Sequence, residues 1–275
     1  MSNKSIVLAI LSVFISVSSF ARTEQTTVQG SVGRLSAEMQ IPEHAAGEKI
    51  PWVVVCHGFS GNKNEAMHRA IADSLERHGI ASIRFDFNGH GQSDGDFSKM
   101  TVLNEIEDAK CVISYVAQRD DVKSIAIVGH SQGGVVAAMT SGLLGDSVLK
   151  AAVLISPAAV LRDDALRGTC MGRNYDAANP PATVELYGGL RLGRDYILSA
   201  QRLPIYETAK RYQGPVLVIH GDADRVVPYT YGQRFADDMR YAHIKIIPGM
   251  DHGYSGHVDV PAHLVAAFMI HQLLE

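Results

Sequence analysis

The chain is short of cysteine and of positive charge, and long apolar stretches are almost absent. Each shortage excludes something. Lysine and arginine total 25 against 29 acidic residues, with no basic block and no aromatic-basic stripe, so no nucleic-acid partner is expected. There is no glycine-rich phosphate loop of the Walker kind, no internal repeat and no low-complexity tract. Only three cysteines occur, Cys56, Cys111 and Cys170, and none has the paired spacing of a zinc site. No metal and no cofactor is expected. Cys56 ends an apolar strand and Cys111 lies in a helical pattern, so both read as small buried hydrophobes rather than a disulfide. Cys170, in a loop-rich stretch, reads as the exposed thiol.

The one long apolar run, Ile6 to Val17, follows Lys4 and leads into small residues at Ser19 and Ala21. It is too short to span a bilayer and has the layout of a cleaved export signal, residues 1–21. No cysteine follows Ala21, which argues against a lipid anchor. The expectation is a secreted or periplasmic protein with no membrane contact once the signal is removed, and a single domain over 22–275.

What is present has a rhythm. A pair of short antiparallel strands is expected within 26–43. Apolar runs then recur at 51–58, 80–87, 124–129, 150–157, 214–224 and 243–252. Between them lie helical patterns, such as Val102, Ile106, Ala109, Ile113 and Val116 on one face. Asn62 with Glu65 three positions on reads as a helix N-terminus, and Gly79 as its stop. This alternation calls for an α/β fold, a mostly parallel sheet with helices on both faces. Residues 158–204 break the rhythm, being loop-rich with short helical stretches, and read as an inserted lid over a site.

Gly129-His130-Ser131-Gln132-Gly133 stands between an expected strand and an expected helix. That is the setting of a nucleophile elbow, G-x-S-x-G. A serine hydroxyl needs a base to take its proton and a third group to orient that base, in the chain order Ser, Asp or Glu, His. Asp222 and Asp224 follow one late strand, and Asp251 with His252 follows the next. Asp224 lies further past its strand end and can reach the histidine, whereas Asp222 is placed to bond turn amides. Among twelve histidines, His252 alone follows a late strand in a glycine-containing turn. His257, His263 and His271 read as surface or core residues of the last segment. Oxyanion donors are expected from the backbone N–H of Gln132 and of Phe59, the latter in the turn "HGFSGNK" after the first buried strand. A catalytically dead hydrolase fold used for binding would not need all five positions filled.

With these residues in place the sequence resembles the α/β-hydrolase superfamily and, more narrowly, bacterial cinnamoyl (feruloyl) esterases. The resemblance is carried by "HGFSGNKNE", "IASIRFDFNGHGQSDGDF", "MTVLNEIEDA", "VGHSQGGVVA", "RLPIYE", "HGDADRVVP" and "DHGYS". It implies a serine carboxylesterase that cleaves hydroxycinnamate esters, such as those on plant cell-wall sugars, through an acyl-enzyme. It also implies that the insertion grips the acyl group, with Asp164 and Tyr196 near its phenolic hydroxyl. A general short-acyl esterase, a lysophospholipase or monoacylglycerol lipase, and a serine aminopeptidase share the elbow and stay open as alternatives.

Overall fold

The computed structural model describes Ser18, Ser19 and residues 21–275. The expected export segment therefore lies almost wholly outside the described residues. Alternating polar and apolar residues form an antiparallel hairpin of β1 (Arg22–Gln29) and β2 (Arg34–Ile41). It begins four residues earlier than the pattern indicated, because the polar stretch from Arg22 still finds partners on β2. Leu35, Ala37, Met39 and Ile41 of β2 face the core.

The apolar runs become β3 (Ile50–Cys56), β4 (Ala81–Phe85), β5 (Val122–His130), β6 (Leu149–Ile155), β7 (Val216–Gly221) and β8 (Ala242–Ile247). They join the hairpin in one eight-stranded sheet of order β1-β2-β4-β3-β5-β6-β7-β8. From β4 across to β8 every neighbouring pair is parallel, whereas β2 meets β4 antiparallel. The helices are α1 (Ala66–Glu76), α2 (Val102–Ala117), α3 (Gln132–Leu144), α4 (Val160–Arg167), α5 (Arg194–Ala200), α6 (Ile205–Ala209), α7 (Tyr229–Asp238) and α8 (Asp259–Leu273).

Strand β3 shows why its run is apolar throughout. Trp52, Val54 and Cys56 pack into one core with α2 and α3, while Val53 and Val55 pack into a second with α1 and α8. A strand covered on both faces has no solvent side on which to carry polar residues. The chain is an α/β protein with this sheet at its centre.

Two local expectations change. Helix α1 starts at Ala66, and the Asn62 side chain instead takes the Asn64 N–H at 2.9 Å, closing a turn ahead of the helix. Cys170 is half-buried rather than exposed. The short strand Thr169–Cys170 pairs with Arg173–Asn174, which folds its thiol toward the interior, where burial pushes its pKa up to about 12. The stretch from 158 to 204 holds α4, α5, this small hairpin and a second one, Thr183–Glu185 with Arg191–Gly193. No helix among the described residues is long and apolar enough to cross a membrane.

Candidate active site

Strand β5 runs into α3 with a single residue, Ser131, at the turn. Its φ is +57° and its ψ −122°, a conformation that L-residues rarely adopt. The flanking glycines explain how the chain tolerates it. A Cβ on Gly129 would lie 1.9 Å from the Gly133 carbonyl oxygen, and one on Gly133 would lie 2.3 Å from that of His57. Any side chain at either position would push the strand, the helix and the β3 turn apart. The strained turn lifts Ser131 to the C-terminal edge of the sheet, where parallel α/β sheets place their sites.

The loops after β7 and β8 come to the same edge. His252 Nε2 lies 2.9 Å from Ser131 Oγ, and its Nδ1 lies 2.7 Å from Asp224 Oδ2. Asp224 is buried, and its other oxygen accepts the N–H groups of Val226 and Val227 at 2.9 and 2.8 Å. His220 Nε2 stands 3.2 Å from Oδ2. Burial alone would raise the pKa of this carboxyl. The hydrogen bonds from His220, His252 and Val227 outweigh it and hold the group well below the usual carboxylate range. Asp222 lies elsewhere, accepting the Gly249 N–H at 2.6 Å, and His257, His263 and His271 are exposed. The structure thus brings Ser131, His252 and Asp224 into one hydrogen-bonded line. In it the serine can pass its proton to the imidazole, whose charge the buried carboxylate then stabilises.

Two backbone donors stand beside the serine. The Gln132 N–H opens α3 and has no intrahelical acceptor, and the Phe59 N–H finds none among the described residues. Gly58 keeps this turn against the serine, since a Cβ there would sit 3.0 Å from Ser131 Cβ. Buried polar groups that the sequence analysis passed over hold the turn in place. His57 donates Nδ1–H to the Gly58 carbonyl at 2.8 Å and accepts the Phe87 N–H on Nε2 at 3.1 Å. Burial, then the neighbouring His90, lowers its pKa to about 3, so it stays neutral. Lys63 Nζ reaches Asp86 at 2.8 Å and Gln92 at 2.7 Å, tying the turn to the loop after β4. Behind Gln132, its side-chain amide donates to Glu105 at 2.8 Å and accepts from the Tyr196 hydroxyl at 2.7 Å. Burial pushes Glu105 up to about 8. Charged residues at the end or on the apolar face of buried elements, Asp86 and Glu105, were the available sequence signal.

A pocket partly open to solvent starts at Ser131. Phe59, Leu161, Val227 and Tyr196 are among its walls, with Asp164, Thr169, Cys170 and Tyr175 as its polar lining. Asp164 pairs with Arg167 at 2.6 Å. Tyr196 lines the cavity, and its hydroxyl donates to the Gln132 side chain. Tyr175, which the sequence analysis did not single out, bonds the Thr169 carbonyl at 3.2 Å.

The sheet order, the serine turn and the histidine and acid on the last two strand ends are those of a serine hydrolase, and the chain belongs to the α/β-hydrolase superfamily. A family model described as "Serine aminopeptidase, S33" matches residues 47–179. Among solved structures, Est1E from Butyrivibrio proteoclasticus with ferulic acid bound is 30% identical, with a TM-score of 0.86 over 91% of this chain and all of that one. A monoacylglycerol lipase from Mycolicibacterium smegmatis is 27% identical over 228 residues, 73% of this chain and 80% of the relative. The esterase domain of a Rhodothermus marinus protein shares the fold, at 20% identity and a TM-score of 0.66 over 90% of this chain and 98% of that one. The chain is an enzyme of the esterase and lipase type.

Proposed function

We infer that this enzyme is a carboxylesterase for hydroxycinnamate esters, with Ser131 as nucleophile, His252 as general base and acid, and Asp224 orienting it. The observation that carries this reading is the cavity. It opens directly at Ser131, its walls are apolar and aromatic, and Asp164 and Tyr175 set polar groups among them, the lining that a planar aromatic acyl group with a hydroxyl calls for. The structural neighbour with ferulic acid bound supports the same substrate class. In the first half-reaction Ser131 Oγ attacks the ester carbonyl as His252 Nε2 takes its proton. The oxyanion lies on the Phe59 and Gln132 N–H groups. The protonated His252 then delivers its proton to the leaving alcohol. A water activated by the same imidazole releases the acid from the acyl-enzyme.

The insertion acts as the acyl-group lid. Asp164 is its polar reader, with Tyr175 beside it, whereas Tyr196 contributes a wall and steadies Gln132. The lipase relative favours a second reading, a broad acyl esterase, for which the cavity would be only an apolar slot. The test is a rate comparison of methyl ferulate, p-nitrophenyl butyrate and an aminoacyl anilide. Preference for methyl ferulate in kcat/KM supports the first reading. Preference for the butyrate establishes the second, and preference for the anilide overturns both.

A further inference from the structure

Outside the lining of the acyl cavity, three side chains converge that no step above uses. His68, on the first turn of α1, is 1% exposed; the Asn62 backbone lies near its ring, but neither ring nitrogen makes a hydrogen bond of ordinary geometry among the described residues. Buried imidazoles with both nitrogens unpaired are rare, because each leaves a desolvated polar atom uncompensated. Glu65, one helical turn earlier, places Oε2 at 3.4 Å from His68 Nδ1. His130, inside the elbow itself, packs its ring 6.2 Å from that of His68. One donor atom from each of the three lies within 4.8 Å of the others.

We propose that Glu65, His68 and His130 form a binding site for a zinc-type divalent cation behind the catalytic base. Two imidazoles and one carboxylate, with a fourth position left to water, are a recognised zinc donor set. The His130 hydrogen bond fits this use. Its Nε2 lies 2.9 Å from the His252 carbonyl oxygen, and a carbonyl can only accept, so Nε2 carries the proton and Nδ1 is left to offer. A metal-bound histidine generally donates its other N–H to such a partner, which fixes its tautomer and orientation. Both histidines are held neutral: burial lowers His68 well below its ordinary value and His130 to about 4. They need release no proton to bind. Tetrahedral ligation at about 2.0–2.1 Å puts donor atoms roughly 3.4 Å apart, so the site must contract. Glu65, with its side chain 37% exposed, is the member free to move. Through His130 the cation would bear on the main chain of His252, coupling occupancy to the base.

The sequence hides this site, since E-x-x-H at a helix start resembles ordinary first-turn polarity and His130 is 62 positions beyond His68. Calorimetric titration of the metal-stripped protein with Zn²⁺, and with Co²⁺ followed by its visible absorption, tests it. The expected result is one ion per chain and a tetrahedral Co²⁺ spectrum. Affinity should fall at least 10-fold in both His68→Gln and Glu65→Gln, the latter a near-surface change that leaves the core intact, and should be unchanged in His271→Gln. The proposal is overturned if the wild type binds no stoichiometric ion, if Glu65→Gln binds as the wild type does, or if the loss follows His271 instead.

Discussion

Replacing Asp224 by Asn keeps the side chain's shape and reverses one hydrogen bond. The amide oxygen of Asn can still accept the Val226 and Val227 N–H groups, as Asp224 does at 2.9 and 2.8 Å, so the loop should hold its place. The amide nitrogen, however, would face His252 Nδ1, where the carboxylate now stands at 2.7 Å. A donor there forces the proton onto Nε2, the nitrogen that must accept from Ser131 Oγ at 2.9 Å. The buried negative charge that offsets the imidazolium is lost as well. In other serine hydrolases the equivalent change costs roughly 10⁴-fold in kcat, which is about 5.4 kcal/mol of transition-state stabilisation. The same order is expected here, measured as kcat on p-nitrophenyl acetate with thermal melts to check folding. Asp222→Asn, at a side chain that accepts the Gly249 N–H on an exposed loop, should cost less than about 10-fold on the same scale. A folded Asp224→Asn enzyme retaining a tenth or more of wild-type kcat, or a reversed ranking of the two variants, would refute the assignment.

Ser131→Ala should melt like the wild type, lose several orders of magnitude in kcat, and no longer take a fluorophosphonate label; persistent labelling would place the nucleophile elsewhere. Asp164→Ala should slow methyl ferulate hydrolysis by roughly 10-fold or more, the worth of one hydrogen bond to a charged group, and leave p-nitrophenyl acetate nearly unchanged. Equal losses on both substrates would mean that Asp164, through Arg167, supports the insertion instead of reading the acyl group. Glu105 supplies a pH test. Its carboxyl ordinarily titrates near 4.5 and burial lifts it to about 8, so between these values the folded state holds a proton the unfolded chain has released. Its stabilising contribution is complete below about pH 4.5 and declines as pH rises toward about 8. Glu105→Gln should therefore gain stability relative to the wild type from about pH 5 to about pH 8, read by denaturant melts; a constant difference would show that Glu105 is ionised in the fold. His57, held neutral with a pKa near 3, works in the opposite direction and is common to both proteins.

The sequence by itself determined the layered α/β architecture, because strands buried on both faces must be apolar throughout and the helices between them must carry an apolar stripe. It also marked the serine turn, since only glycines at 129 and 133 permit the approach of β5, α3 and the β3 turn. Strand spacing favours Asp224 over Asp222, which lies nearer the end of β7, but the contact itself depends on how two separate loops curl past the sheet edge. The structure decides it by burying Asp224 against His252, His220 and two backbone amides. Tertiary packing alone set the partner of the Tyr196 hydroxyl, which is taken up by the Gln132 side chain. It alone turned Cys170 inward and assembled the His57, Lys63–Asp86 and Glu105–Gln132 supports. Those contacts join residues far apart in the chain, and their partners carry no local periodicity. A buried charge leaves no pattern in sequence until the fold shows what answers it.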